Sequence, residues 1–222
     1  AGDNTAKKML AWTEAGKEIL QDEFDVIFEE DDDFQESVSE VKNLTDAETQ
    51  CLRELVKMLS LNHDNDPKYI KVLDILSNGI NESDKPWKES GCIVFSQYYD
   101  SAYFVAEKLS KDLSDDVIGL YAGGDKSGYF LNGSFHKDSK DSIKAKVKNH
   151  DIKILVGTDA ASEGLNLQTL STLINLDLPW NPTRLEQRKG RIQRIGQVAP
   201  KVKIFNMRYK DSVEDKVHTV LS

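Results

Sequence analysis

The chain has 222 residues and a net charge of −9, with 39% hydrophobic and 30% charged residues, which suits a globular protein with a sizeable core. No apolar run is long enough to span a membrane, and the first ten residues, AGDNTAKKML, lack the apolar core of a secretion signal. Cys51 and Cys92 lie far apart, and the four histidines lack metal-ligand spacing, so we expect no disulfide framework, no metal site and a cytoplasmic location.

Residues 1–66 form an acidic segment that differs from the rest of the chain. They hold 18 acidic and 6 basic residues, whereas residues 67–222 hold 20 acidic and 23 basic residues. Turn-forming residues at 62–67 mark the boundary, so we expect two domains, 1–66 and 67–222. Helical spacing within the first segment predicts helices around Leu20, Phe24 and Phe28 and around Leu52, Leu55, Val56 and Leu59.

The acidic run at residues 29–33 allows two interpretations. It is either a solvated loop, or a patch that docks a protein partner or imitates the charge of a nucleic acid. The second interpretation would make residues 1–66 a segment that binds a protein partner.

Short apolar runs alternate with amphipathic stretches through residues 67–222. A helix is predicted to start at Pro67, and Asn181 is predicted to cap another helix that starts at Pro182. Further helices are predicted over 102–113, around Ile143 and Val147, and over 212–221 with Ser212 as the cap. Residues 123–133 are rich in glycine and are predicted as a flexible loop. The predicted strands are 92–95, 117–121, 152–156, 173–178 and 202–207.

This alternation predicts an α/β fold with a parallel sheet covered by helices on both faces. Ligands of such folds sit beyond the carboxyl ends of the strands. Polar stretches follow two of the predicted strands there, and residues 187–197 read QRKGRIQRIGQ. If these residues continue the helix, Gln187, Arg191 and Arg194 fall within about 60° of one another, with Leu185 and Ile192 roughly opposite. Two guanidinium groups held on one helix suit phosphate recognition, and the simpler alternative is an exposed cationic helix.

Residues 157–168 resemble motif V of superfamily-two helicases and translocases, and residues 187–197 resemble motif VI. The QRxGRxxRIGQ pattern, with Trp-Asn-Pro upstream, resembles the Swi/Snf-type branch and its bacterial members. The run Ile-Val-Phe-Ser-Gln at 93–97 resembles motif IV of that branch, and residues 212–215 resemble the start of its closing helix. The resemblance covers about residues 67–222 and implies a RecA-like fold, as the second (C-terminal) lobe of a two-lobed, nucleic-acid-stimulated ATPase.

The resemblance also implies roles for individual residues. Arg191 and Arg194 match the arginine fingers, which reach the γ-phosphate of ATP across the cleft between lobes. Gly164, Asn166 and Gln187 match positions that approach or sense the nucleotide. The positions that lie along the nucleic-acid backbone in the family are matched by Ser96, Gln97 and Thr158.

Two motifs of a complete ATPase are absent from the sequence. No G-x-x-x-x-G-K-[ST] loop is present, and no acidic tetrad follows a strand to hold Mg²⁺. In the family both lie on the first lobe, so we expect this chain to be a fragment that does not hydrolyse ATP by itself. The intact protein is expected to be an ATP- and Mg²⁺-dependent helicase or translocase whose nucleic acid is double-stranded DNA. The alternatives are a non-catalytic adaptor and a nucleic-acid-binding module built on the same scaffold.

Overall fold

The computed structural model describes residues 45–61, 65–79, 86–159, 167–179, 181–193, 197, 199–212 and 215. The chain divides into two compact units, Ala1–Asp66 and Pro67–Ser222. The predicted helix around Leu20, Phe24 and Phe28 and the acidic run at 29–33 lie outside the described residues.

The described part of the first unit is the helix α1, Asp46–Leu61. Thr45 begins it with a reciprocal cap, because its Oγ1 accepts from the Glu48 N–H at 3.3 Å and the Glu48 carboxylate accepts from the Thr45 N–H at 2.8 Å. The helical spacing of Leu52, Leu55 and Val56 predicted this helix, and the structure confirms it.

The second unit contains a seven-stranded sheet in the order β4-β3-β2-β5-β1-β6-β7. The five strands predicted from apolar runs are present, and they pair in parallel with their neighbours among themselves. The strands are β1 (Cys92–Ser96), β2 (Ile118–Tyr121), β3 (Gly128–Leu131), β4 (Ser134–Lys137), β5 (Ile154–Thr158), β6 (Thr172–Asn175) and β7 (Lys203–Asn206).

Helices cover both faces of this sheet, as predicted. They are α2 (Pro67–Asn78), α3 (Tyr99–Asp112), α4 (Lys140–Lys148) and α5 (Pro182–Ile192). Successive strand residues point to opposite faces, so Val94 packs with the cluster that includes α2 and α3, whereas Ile93 and Phe95 pack with the cluster that includes α4 and α5. Burial on both faces explains why these strands are continuous apolar runs rather than alternating ones.

The flexible loop predicted over 123–133 is wrong for its second half. Residues from Gly128 onward form an antiparallel hairpin, in which β3 pairs with β4 at the edge of the sheet. Asn132 and Gly133 form its two-residue turn with φ values of 50° and 77°, the left-handed conformation that such turns require and that Asn-Gly favours. A side chain at Gly128 would place its Cβ 2.4 Å from the His136 carbonyl oxygen, so glycine is needed there for close approach of the strands.

Among the residues the structure describes, no helix is long and apolar enough to cross a bilayer. At the end of the chain, Ser212 Oγ accepts from the Asp215 N–H at 3.4 Å, which is the cap predicted for the closing helix. The body of that predicted helix lies outside the described residues.

Candidate functional site

Helix α5 carries most of the candidate site, and its start follows the sequence prediction. Asn181 Oδ1 accepts from the Thr183 N–H at 2.9 Å, and Pro182 occupies the first turn. Leu185 and Ile192 are buried against the sheet, as their spacing predicted. The polar face of α5 is thereby turned away from the core.

Arg188 is the residue that the sequence prediction missed. It is 1% exposed, and its guanidinium forms a bidentate ion pair with Asp159, which directly follows β5. Nε donates to Asp159 Oδ1 at 2.5 Å, and Nη2 donates to Asp159 Oδ2 at 2.7 Å. Arginine suits this place because its charge is permanent and its fork matches both carboxylate oxygens. The motif VI helix is therefore fixed to the end of the motif V strand.

The same guanidinium also reaches the end of β6. Arg188 Nη1 donates to Asn175 Oδ1 and to the Asp177 carbonyl oxygen, both at 2.9 Å, and Nη2 lies 3.6 Å from Asp177 Oδ1. Its centre lies 5.4 Å from the Phe95 ring, which closes one side of the group. One buried cation thus joins three elements at the carboxyl edge of the sheet.

Asp177 links this cluster to the end of β1. Ser96 Oγ donates to Asp177 Oδ2 at 2.6 Å, and the Gln97 N–H donates to Asp177 Oδ1 at 2.9 Å. Burial raises the pKa of Asp177, although the hydrogen bond from Ser96 and the charge of Arg188 act in the opposite direction. This carboxylate is therefore held by partners on β1 and on α5.

The three residues predicted to lie along nucleic acid come together at this edge. Ser96 and Thr158 occupy paired positions at the ends of β1 and β5, and Gln97 follows directly. Ser96 is fully buried, and its hydroxyl is engaged with Asp177, while Gln97 Nε2 donates to the Leu178 carbonyl oxygen at 3.3 Å. Thr158 is 5% exposed. The Ser96 hydroxyl is therefore buried within the lobe and occupied by Asp177.

Two of the residues predicted to face the nucleotide lie on the outer side of α5. Gln187 is exposed, and Arg191 is partly exposed. Among the described residues, Arg191 has no hydrogen-bond or ion-pair partner, in contrast to Arg188 three positions earlier. Arg194, Gly164 and Asn166 lie outside the described residues.

Helix α5 is shorter than predicted. The sequence pattern predicted a helix that continued to Gln197 and carried both Arg191 and Arg194. Helix α5 ends at Ile192, with Gln193 in the capping position. At this end the side-chain Nε2 of Gln197 donates to the Ile192 carbonyl oxygen at 2.7 Å and satisfies one of the carbonyl groups that a helix end leaves without a partner within the helix. The helical alignment of Arg194 with Arg191 therefore does not follow from α5.

The donor set at this edge suits a phosphate better than a metal ion. The described residues contain no group of three or more acidic, histidine or cysteine side chains that could hold a metal. Asp159 and Asp177 are already paired with Arg188, and the side chain of Arg191, which has no partner among the described residues, is cationic. A phosphate at this surface would therefore meet the positive charge of Arg191.

Known proteins are similar to this chain in sequence. Residues 67–196 match the family described as the helicase conserved C-terminal domain. The uncharacterized ATP-dependent helicase YqhH of Bacillus subtilis (strain 168) is 46% identical over 91 residues, which are 41% of this chain and 16% of that protein. The helicase-like transcription factor CHR27 of Arabidopsis thaliana is 37% identical over 89 residues, which are 39% of this chain and 8% of that protein. These matches therefore span less than a fifth of either relative.

Solved structures show the same fold. The C-terminal part of the Fun30 ATPase domain aligns with a TM-score of 0.54 at 23% identity, over 83% of this chain and 56% of that one. The Pyrococcus furiosus Hef helicase domain aligns with a TM-score of 0.58 at 18% identity, over 98% of this chain and 38% of that one. The sheet is thus the RecA-like sheet of helicase C-terminal lobes. The chain belongs to the helicase conserved C-terminal domain family.

Proposed function

We propose that this chain is the second lobe of an ATP-dependent DNA helicase or translocase and that Arg191 and Arg194 act as its arginine fingers. The contrast between two arginines on α5 carries the proposal. Arg188 engages the carboxylates of Asp159 and Asp177, while the side chain of Arg191 has no partner among the residues that the structure describes. A guanidinium placed this way is available for an anion that another lobe presents.

ATP bound with Mg²⁺ supplies the phosphoryl group that is transferred to water. Arg191 and Arg194 would neutralise the negative charge that grows on that group, an effect worth about 10³ to 10⁵ in rate for arginine fingers. Gly164, Asn166 and Gln187 would line the nucleotide side of the cleft. The phosphate-binding lysine and the acidic metal ligands would come from a first lobe, because this chain has no such motif.

Nucleic acid would run along the carboxyl edge of the sheet, beside β1 and β5. Thr158 and Gln97 would offer a hydroxyl and an amide to phosphate oxygens, contacts that position a strand without reading its sequence. Ser96 would not contact the phosphates itself. Its hydroxyl would support this edge through its hydrogen bond to Asp177. We propose double-stranded DNA as the substrate. Residues 1–66, with their excess of acidic side chains, would form a separate unit that docks a protein partner.

Comparison of this chain with the full-length protein tests the proposal. ATP turnover would be measured for each without nucleic acid, with duplex DNA, with single-stranded DNA and with RNA. We expect no turnover by the chain alone and turnover by the full-length protein that duplex DNA stimulates most. ATP turnover by the chain alone would contradict the proposal that hydrolysis needs groups from both lobes. Stimulation by RNA alone would contradict the proposed substrate, and a full-length protein without turnover would favour the adaptor.

A further inference from the structure

The side chain of Gln197 makes three hydrogen bonds that converge on the end of helix α5. Its Nε2 donates to the Ile192 carbonyl oxygen at 2.7 Å and to the Leu170 carbonyl oxygen at 3.0 Å. Its Oε1 accepts from the Ala199 N–H at 3.1 Å. The side chain is partly buried, and its amide hydrogens and its oxygen are all engaged.

These bonds tie a helix end to the sheet. Leu170 is 1% exposed and lies just before β6, in the cluster that also contains Ile192. The last carbonyl groups of a helix have no partner within the helix, and helix ends fray unless such groups are satisfied. Gln197 satisfies the Ile192 carbonyl and fixes it to a rigid part of the core.

Both proposed arginine fingers lie close to Gln197 in the sequence. Arg191 directly precedes Ile192, and Arg194 lies in the sequence between Ile192 and Gln197. We infer that Gln197 is a positioning residue, whose amide fixes the end of α5 so that Arg191 is presented to ATP in one orientation. This inference rests on the proposed function, because it assigns Gln197 an effect on phosphoryl transfer that acts through Arg191.

The expected effect is on turnover rather than on substrate binding. Displacement of a catalytic group by about 1 Å can cost about 100-fold in rate, whereas the phosphates of ATP would be held mainly by the first lobe. The variant Gln197→Met keeps the length of the side chain and removes its hydrogen bonds. In the full-length protein we expect kcat to fall by at least about tenfold and KM for ATP to change by less than about twofold.

The matched control is Gln193→Met, because Gln193 has the same side chain, lies at the same helix end and is exposed. Hydrogen–deuterium exchange of the 222-residue chain provides the second measurement. The amide of Gln193, which donates to the Lys189 carbonyl oxygen at 2.9 Å, should exchange at least about tenfold faster in Gln197→Met, while the amides of α4 stay unchanged.

Each result decides the inference. A local increase in exchange together with a selective loss of kcat supports it. Unchanged exchange at the end of α5, faster exchange throughout the sheet, or a normal kcat despite faster local exchange would overturn it. If the wild-type full-length protein hydrolysed no ATP, the proposed function would fall, whereas the exchange comparison would still decide whether Gln197 fixes the helix end.

Discussion

Arg188, which is buried, forms a bidentate ion pair with Asp159 that connects helix α5 to the end of strand β5, with donor–acceptor distances of 2.5 and 2.7 Å. The pair lies between motif VI and motif V. It explains how a helix with many cationic side chains is held against the sheet while its other face stays available. Its removal should therefore affect the stability of the lobe before it affects any chemistry.

We expect Arg188→Ala to lower the free energy of unfolding of the chain by about 3–5 kcal/mol, because it would remove the buried cation that pairs with Asp159 and with the buried carboxylate of Asp177. Urea unfolding measures this directly. The matched control is Lys189→Ala on the same helix, since Lys189 pairs with the exposed Glu186 and should contribute less than about 1 kcal/mol. Equal losses in the two variants would contradict the structural role of Arg188.

We expect Gly190→Ala to raise the stability of the chain and to lower the activity of the full-length protein. Gly190 lies inside α5, and a Cβ added there would meet nothing within 4 Å. Because alanine favours the helix over glycine, Gly190→Ala should raise the unfolding free energy of the chain by about 0.5–1 kcal/mol. Under the proposed function the exposed face of α5 meets the first lobe, so the same change should lower ATP turnover in the full-length protein. Unimpaired turnover would show that nothing approaches this position.

We expect Gly128→Ala to lower the stability of the chain. The new Cβ would lie 2.4 Å from a backbone oxygen of β4, which cannot move without breaking the hairpin. A loss of about 1–3 kcal/mol in urea unfolding is expected from such overpacking. A neutral result would mean that the edge hairpin contributes little to the stability of the sheet.

Asp138 should make part of the stability depend on pH. Hydrogen bonds from Lys146 and then Ser142 hold the pKa of its carboxyl below the ordinary value, so the ionised form is favoured in the folded state. This contribution is present above the unfolded pKa of about 3.9 and is lost as pH falls through the lower folded pKa. Asp138→Asn should cost about 1 kcal/mol near neutral pH and less at a pH below about 3.9, measured by urea unfolding.

The control for this pH effect is Asp141→Asn, because the Asp141 side chain is 93% exposed although it also contacts a lysine on α4. It should change the unfolding free energy little at either pH. A difference between wild type and Asp138→Asn that stayed constant across the pH range would contradict the assignment.

The parallel sheet was predictable because its strands are buried on both faces and therefore appear as uninterrupted apolar runs. The edge hairpin was not recognised because the glycines around it are also typical of a loop. Its signal was nevertheless present, since Asn132-Gly133 stands between two stretches that contain Tyr129, Phe130 and Phe135.

The errors at the candidate site have two different causes. Arg188 follows Leu185 by three residues and precedes Ile192 by four, which places it on the buried face, yet a charged side chain is normally assigned to the surface. Helical spacing alone could also have placed it there. At the end of α5, in contrast, Gln197 donates a side-chain hydrogen bond across five positions, and no local propensity predicts that contact.

Arg191→Ala in the full-length protein tests the central claim most directly, with ATP binding and nucleic-acid-stimulated ATP turnover measured on the same preparation. Lys189→Ala, two positions earlier on α5, is the control for loss of a positive charge. We expect Arg191→Ala to lower kcat by about 10³ or more while ATP binding and the unfolding free energy stay close to wild type. Wild-type turnover by Arg191→Ala would contradict the assignment of this side chain to phosphoryl transfer.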